Sequence, residues 1–248
     1  MNISSKTVLI TGGGSGIGLE IAKQFNAKGN KVIIVGRNND KLQNAVKGLE
    51  HVNAYAIDIT DESDVKKLVS LLSAEFRDLG ILINNAAASP NGYNHGVGAN
   101  AFAKASDEML TNYLSVIRLN EQLLPLLQSQ PEAAIVNVSS IVAFSPHTFI
   151  PTYSDSKAAL HSYTLSLRHE LAKKSNVRVF ELMPPLVNTE FSKLIGGDIN
   201  GMPAVDVALA LIDALEKDEF EIHVGQTKNF RNAFLANPAE AFNMVNAN

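Results

Sequence analysis

The chain has 248 residues, 46% of them hydrophobic and 19% charged, which describes a globular protein with material for a substantial core and excludes a disordered one. Its 21 Lys and Arg against 25 Asp and Glu leave a net charge of −4 without long runs of one sign, so nothing marks it as a nucleic-acid binder. The absence of cysteine excludes a disulfide scaffold, a thiol nucleophile, an iron–sulfur cluster and any Cys-containing zinc site, so redox chemistry must come from a bound cofactor and no metal site is expected.

The start of the chain, Met1-Asn2-Ile3-Ser4-Ser5-Lys6, lacks the basic head and apolar stretch of a signal peptide, and no apolar run reaches membrane-spanning length. A cytoplasmic protein without membrane partners is the expectation. Nearly continuous apolar runs over 7–10, 32–35, 81–83 and 135–138 read as strands covered on both faces, with further strands over 54–57, 177–183 and 220–224. Apolar residues recurring every three or four positions between them predict helices over 16–28, 39–48, 61–77, 103–129, 152–174 and 204–217. This βα alternation predicts an α/β fold: one doubly wound parallel sheet of about seven strands, a Rossmann fold, as a single domain over 1–248. Gly- and Pro-bearing segments mark substrate loops at 88–100 and 190–203, the second a mobile lid, and the last 20 residues read as two short helices broken at Pro238.

The first strand runs into Thr11-Gly12-Gly13-Gly14-Ser15-Gly16-Ile17-Gly18, where a helix begins. Such a turn lets backbone approach a pyrophosphate, whose charge is favoured by exposed amides and the helix N-terminal dipole. The spacing is G-x-x-x-G-x-G at Gly12, Gly16 and Gly18, and no Gly-Lys-Ser/Thr follows, so a dinucleotide site is expected and a P-loop is not. Gly12, Ser15, Gly16, Ile17 and Gly18 are its candidate binding residues. The second strand ends Val35-Gly36-Arg37-Asn38. An acidic residue there would hold the ribose hydroxyls of NAD, whereas Arg37 suits a 2′-phosphate, so NADP(H) is expected over NAD(H).

Tyr153 and Lys157 stand four apart at the start of a helical pattern, on one face and one turn from each other. The lysine cation and the helix N-terminus are expected to lower the phenol pKa, making Tyr153 a general acid/base. Thirteen residues before it, after a strand, Ser139-Ser140 could donate a hydroxyl to a substrate carbonyl at the same sheet edge as the glycine turn.

In order and spacing these motifs resemble the short-chain dehydrogenase/reductase family, in its common form of about 250 residues. They are the glycine turn, Asp58, Asn84-Asn85-Ala86-Ala87, Asn112, Ser140, Tyr153 and Lys157, and the likeness covers nearly the whole chain. The resemblance implies hydride transfer between NADP(H) and a small-molecule carbonyl or secondary alcohol, with Asn112, Ser140, Tyr153 and Lys157 as catalytic tetrad. It further implies that Asp58 and Ile59 contact the adenine, that Asn85 and Ala86 line the ribose, that Val187 and Thr189 hold the carboxamide, and that Asn112 positions a water relaying protons to Lys157. It suggests a homodimer or homotetramer through the two longest helices. Two positions depart from the family pattern, Ala87 and Pro185, where glycine is usual; the proline has no amide to give. Pro184-Pro185-Leu186-Val187, with Thr111-Asn112-Tyr113-Leu114, resembles a DltE-like branch of bacterial oxidoreductases associated with cell-envelope operons. The alternative reading is a non-catalytic NADP(H)-binding sensor or scaffold, in which the tetrad has no chemical task.

Overall fold

Residues 1–88 and 92–247 are described by the computed structural model of the protein. Seven parallel strands form one sheet: β1 (Thr7–Thr11), β2 (Lys31–Gly36), β3 (Val52–Ala56), β4 (Leu79–Asn84), β5 (Ala133–Val138), β6 (Val177–Met183) and β9 (Glu221–His223), in the order β3-β2-β1-β4-β5-β6-β9. The order reverses between β1 and β4, which opens a crevice at the carboxyl ends of the strands.

The alternation of side chains across a strand explains the continuous apolar runs. Val8 and Ile10 of β1 face one core layer with Ile21 and Phe25, whereas Leu9 faces the opposite layer with Leu68, Leu119 and Leu123. The first layer is covered by α1 (Gly16–Ala27) and α8 (Ala204–Lys217), the second by α3 (Glu62–Glu75) and α5 (Ser115–Gln128). Among the described residues no helix is long and apolar enough to cross a membrane.

The predicted helix over 103–129 is broken. It consists of α4 (Ala101–Met109), a π-helical turn over Leu110–Leu114, and α5. In the widened turn the Leu110 carbonyl accepts from both the Ser115 amide and the Ser115 hydroxyl, the latter at 2.8 Å, and turns of this kind cluster at functional sites. The helix predicted over 39–48 ends sooner, as α2 (Asn39–Ala45), while the Asn38 side chain caps its start by accepting from Lys41 N at 2.9 Å. The edge strands β3 and β9 also differ by a residue or two from their predicted limits.

The segment over 190–203, predicted as a mobile lid, carries short regular elements. Just before it β7 (Val187–Asn188) pairs with β8 (Met202–Pro203) at its end, with a 3₁₀ turn over Glu190–Ile195 and α7 (Gly197–Asn200) between them. The Ser192 hydroxyl donates to the carbonyls of Val187 and Thr189, which folds the turn back on β7. Of the loop predicted over 88–100, residues 89–91 lie outside the described residues; residue 93 is anchored by Tyr93 N donating to Phe149 O at 2.9 Å. The final residues form α9 (Thr227–Ala236) and α10 (Pro238–Asn246), separated at the predicted proline, with Asn237 capping α10.

Candidate active site

Two side chains lock the glycine turn to the end of β4. The Thr11 hydroxyl accepts from Asn85 N and Ala86 N, both at 3.0 Å, and Asn85 Nδ2 donates to Thr11 O at 3.0 Å and Gly12 O at 3.2 Å. A Cβ at Gly12, whose φ is +66°, would meet Ala86 Cα at 2.9 Å, and one at Gly18 would lie 2.4 Å from Gly12 O, so both positions require glycine. The Ser15 side chain makes no capping bond, so the first amides of α1 open onto the adjoining cleft.

That cleft has a volume of about 260 Å³. Gly12, Ser15, Gly16, Ile17, Arg37, Asp58, Ile59, Asn85, Ala86, Tyr153, Lys157 and Thr189 all line it, whereas Gly18 packs beneath the turn and Val187 lies in the wall of a neighbouring chamber. Asp58 is fixed by accepting from Thr60 N at 2.9 Å and from the Thr60 hydroxyl at 2.7 Å, and Arg37 is exposed at the rim. A side-chain-free turn, a helix N-terminus and a crevice at the strand-order reversal fit an extended, phosphate-bearing dinucleotide.

The chemistry-bearing side chains come from the first turn of α6 (Pro151–Lys174) and the end of β5. Proline at the first helical position presets this turn. Tyr153 and Lys157 are 9% and 2% exposed, and Lys157 Nζ sits 5.5 Å from the tyrosine ring centroid while donating to Val138 O at 2.9 Å. Ser140 begins a 3₁₀ turn, its hydroxyl accepting from Val142 N at 3.3 Å. Asn112, fully buried in the π-helical turn, accepts from Ala88 N at 2.8 Å and donates to the Ser156 hydroxyl at 2.9 Å, which donates to Tyr153 O at 2.7 Å. Both ends of the Asn112 side chain are thus spent on tying the loop after β4 to the turn that carries Tyr153.

One electrostatic expectation is corrected. Burial pushes the Tyr153 phenol up, and the Glu108 carboxylate adds to that, so its net shift is upward although the Lys157 cation lies beside the ring. Lys157 is itself desolvated, which pushes it down to about 8 against the opposing pull of Glu181, and its proton is directed at a carbonyl.

Several contacts were not anticipated from the sequence. Asn84 Nδ2 donates to Asn120 Oδ1 at 2.8 Å and Asn137 Oδ1 at 2.9 Å, and Asn137 Nδ2 donates to the Thr164 hydroxyl at 2.9 Å, so buried amides hold α5 and α6 against β4 and β5. Glu181, fully buried on β6, accepts from the Ser139 hydroxyl at 2.5 Å and pairs with His161 Nδ1 at 2.9 Å. A glutamate inside an otherwise apolar strand, Val179-Phe180-Glu181-Leu182-Met183, was the available signal.

Beside the cleft lies a chamber of about 760 Å³, and Tyr153, Ser139, Thr189 and Phe191 stand in the walls of both cavities. Ser140 faces only the chamber. A nucleotide in the first space and a small molecule in the second would therefore meet at Tyr153.

A family model described as short chain dehydrogenase matches residues 6–199. The chain is 34% identical over 250 residues to an uncharacterized oxidoreductase, DltE, of Bacillus subtilis, a match covering 99% of this chain and 98% of that one. It resembles the crystal structure of a short chain dehydrogenase from Burkholderia cenocepacia in complex with NADP, at a TM-score of 0.87 and 26% identity over 99% of each chain. It also resembles that of a 3-ketoacyl-(acyl-carrier-protein) reductase from Brucella melitensis complexed with NADH. That match has a TM-score of 0.77 and 28% identity over 86% of this chain and 91% of the other.

Proposed function

The chain belongs to the short-chain dehydrogenase/reductase family of nicotinamide-nucleotide-binding oxidoreductases, and from that premise we propose that it transfers hydride between NADP(H) and a carbonyl or secondary alcohol, with Tyr153 as the general acid/base. The observation that carries the reading is the position of Tyr153 in the wall shared by the nucleotide cleft and the chamber.

The bound nucleotide supplies the hydride; the chain's own residues manage the oxygen. Because burial keeps the Tyr153 phenol protonated, it is suited to giving its proton to a carbonyl oxygen as charge develops there. Ser140, which faces the chamber, donates a hydrogen bond to the same oxygen. Lys157 stabilises the resulting phenolate by its charge and, lining the cleft, would hold the ribose of a bound nucleotide. The proposal includes a water positioned by Asn112, whose side chain is held by Ala88 N and the Ser156 hydroxyl, that relays protons to Lys157.

Preference for NADP(H) is supported by Arg37 at the rim, where β2 runs out through Gly36 into an arginine and not into an acidic residue. Segments 92–100 and 190–203 form the substrate side of the site. A homodimer or homotetramer through α5 and α6 is part of the proposal, supported by the exposed Leu114 and Leu165 beside them. Light scattering giving a strict monomer would contradict that part.

The test is oxidation of NADPH, beside NADH, with a panel of aldehydes, ketones and quinones. Turnover with NADPH supports the enzyme; tight NADPH binding with no turnover across the panel points to the sensor instead.

A further inference from the structure

We propose that the chamber takes a bulky, uncharged and largely apolar carbonyl compound or the matching alcohol, and that the end of α10 is its closing wall. This rests on the oxidoreductase reading above. At about 760 Å³ the chamber falls in the range of roughly 300–1,000 Å³ that encloses drug-sized ligands, far more space than a three- or four-carbon ketone fills.

Its chemistry disfavours a fixed negative charge on the substrate. Among the described residues no Asp, Glu, Lys or Arg lines the chamber, and residues 89–91 carry no charged side chain. The ionisable groups in its wall are His147 and Tyr153. Burial pushes His147 down, and its Nδ1 accepts from Phe149 N at 3.2 Å, the arrangement of a neutral imidazole. A carboxylate or phosphate entering here would leave water without meeting a cation. Pro184 and Pro185 extend the apolar wall.

The closure comes from the end of the chain. Asn246 Oδ1 accepts from Thr148 N at 2.7 Å and its Nδ2 donates to Pro146 O at 3.0 Å, which pins α10 to the segment before α6. Val245, Asn246 and Ala247 thereby stand in the chamber wall, while none of them touches the nucleotide cleft.

The experiment measures binding by ligand-detected NMR and turnover with NADPH for a ten-carbon methyl ketone and for the same chain ended in a carboxylate. The ketone is expected to bind and react at least about 100-fold better than the carboxylate. In Asn246→Ala the KM for the ketone should rise several-fold while the Kd for NADPH stays unchanged. Equal or tighter binding of the carboxylate overturns the charge argument, and unaltered ketone affinity in Asn246→Ala overturns the closure. Selective ketone binding without any NADPH oxidation supports the chamber while overturning the oxidoreductase reading.

A different observation carries a second inference: Glu181 is a positioning residue, the buried counter-charge that holds Lys157 as a cation. Its carboxylate is fixed by the Ser139 hydroxyl and His161, and Ser139 directly follows Val138, the carbonyl to which Lys157 donates. The charged and titratable groups around it are Lys157, His161 and Arg168 on α6, His223 and Glu221 on β9, and Arg231 on α9. Glu221, its cross-strand neighbour, is taken by Arg168 at 3.3 Å and Arg231 at 3.4 Å, whereas Glu181 stands opposite Asn137 on β5, one residue from the Val138 carbonyl that holds Lys157. Burial destabilises the Lys157 cation and the Glu181 charge opposes that loss.

The test follows the labelled lysine Cε resonances through a pH titration without added nucleotide, with Lys157→Arg providing the assignment. The wild-type midpoint should lie near about 8, and Glu181→Gln should lower it by about one unit. The alkaline limb of carbonyl reduction should move with it, and Glu181→Asp should restore both. An unmoved midpoint in Glu181→Gln overturns the assignment. Should that variant not fold, His161→Gln keeps the carboxylate and removes the imidazole; its midpoint should hold or rise, and a fall overturns the assignment.

Discussion

Replacing Thr11 with valine tests how the nucleotide cleft is built. The side chain is 1% exposed, and the change swaps a hydroxyl for a methyl of nearly the same shape, leaving packing in place. What disappears is the acceptor for two amides, Asn85 N and Ala86 N, each 3.0 Å from Thr11 Oγ1, and a long 3.4 Å donation to Ile83 O. An amide left without a partner costs about 1–3 kcal/mol when buried. Asn85 and Ala86 are only half-buried, so water recovers part of each loss and the pair should cost about 2–4 kcal/mol. For a chain of this size that lowers the melting temperature by about 5–15 °C. Thr11→Ser removes one methylene's worth of burial, about 1 kcal/mol, and keeps the acceptor, so it should fall between wild type and valine. Calorimetry of the three proteins, with NADPH titrations alongside, is the assay, and the affinity should weaken in the valine variant as the turn loosens. A valine variant melting within about 2 °C of wild type, or a serine variant less stable than it, would refute the assignment of Thr11 as the lock on the turn.

Arg37→Ala should weaken NADPH binding about tenfold and leave NADH binding unchanged, the loss of one charge-assisted contact, as read from dissociation constants for both nucleotides. Carbonyl reduction should be flat near neutrality and decline as pH rises through about 8, because the depressed pKa of Lys157 means the cation is lost there; a decline beginning only above about 10 would place the titrating group elsewhere. Asn112→Ala should cost about 1–3 kcal/mol in a thermal melt, since it leaves Ala88 N without an acceptor and removes the donor to the Ser156 hydroxyl, which keeps its own bond to Tyr153 O. An unchanged melt would show that the π-helical turn does not tie the loop to α6.

The framework was legible because strands buried on both faces need unbroken apolar runs and crossover helices need a three-to-four residue period. Leu9 and Ile10 face opposite layers of one core, a pattern that no surface strand would carry. The site was legible where local spacing sets geometry, as with Tyr153 and Lys157 one turn apart. It was not legible where the deciding contact is remote in sequence. Nothing around Asn112 signals that the helix widens into a π turn there, because its partners Ala88 and Ser156 arrive from other elements. The tyrosine's electrostatics were misjudged for a related reason: spacing reports the nearby lysine but not the desolvation that the finished fold imposes on both groups. Order in the segment over 190–203 likewise depends on Ser192 reaching back to Val187, a contact its glycine-rich composition hides.

The central claim is that Tyr153 passes the proton in a hydride transfer performed between the two cavities. Tyr153→Phe removes only the hydroxyl and keeps the ring in the shared wall, so the decisive measurement is NADPH affinity and single-turnover carbonyl reduction in that variant. The account predicts an unchanged dissociation constant with turnover reduced by about 100- to 10,000-fold. Turnover within about tenfold of wild type, at full nucleotide occupancy, would contradict it and assign the proton to another group.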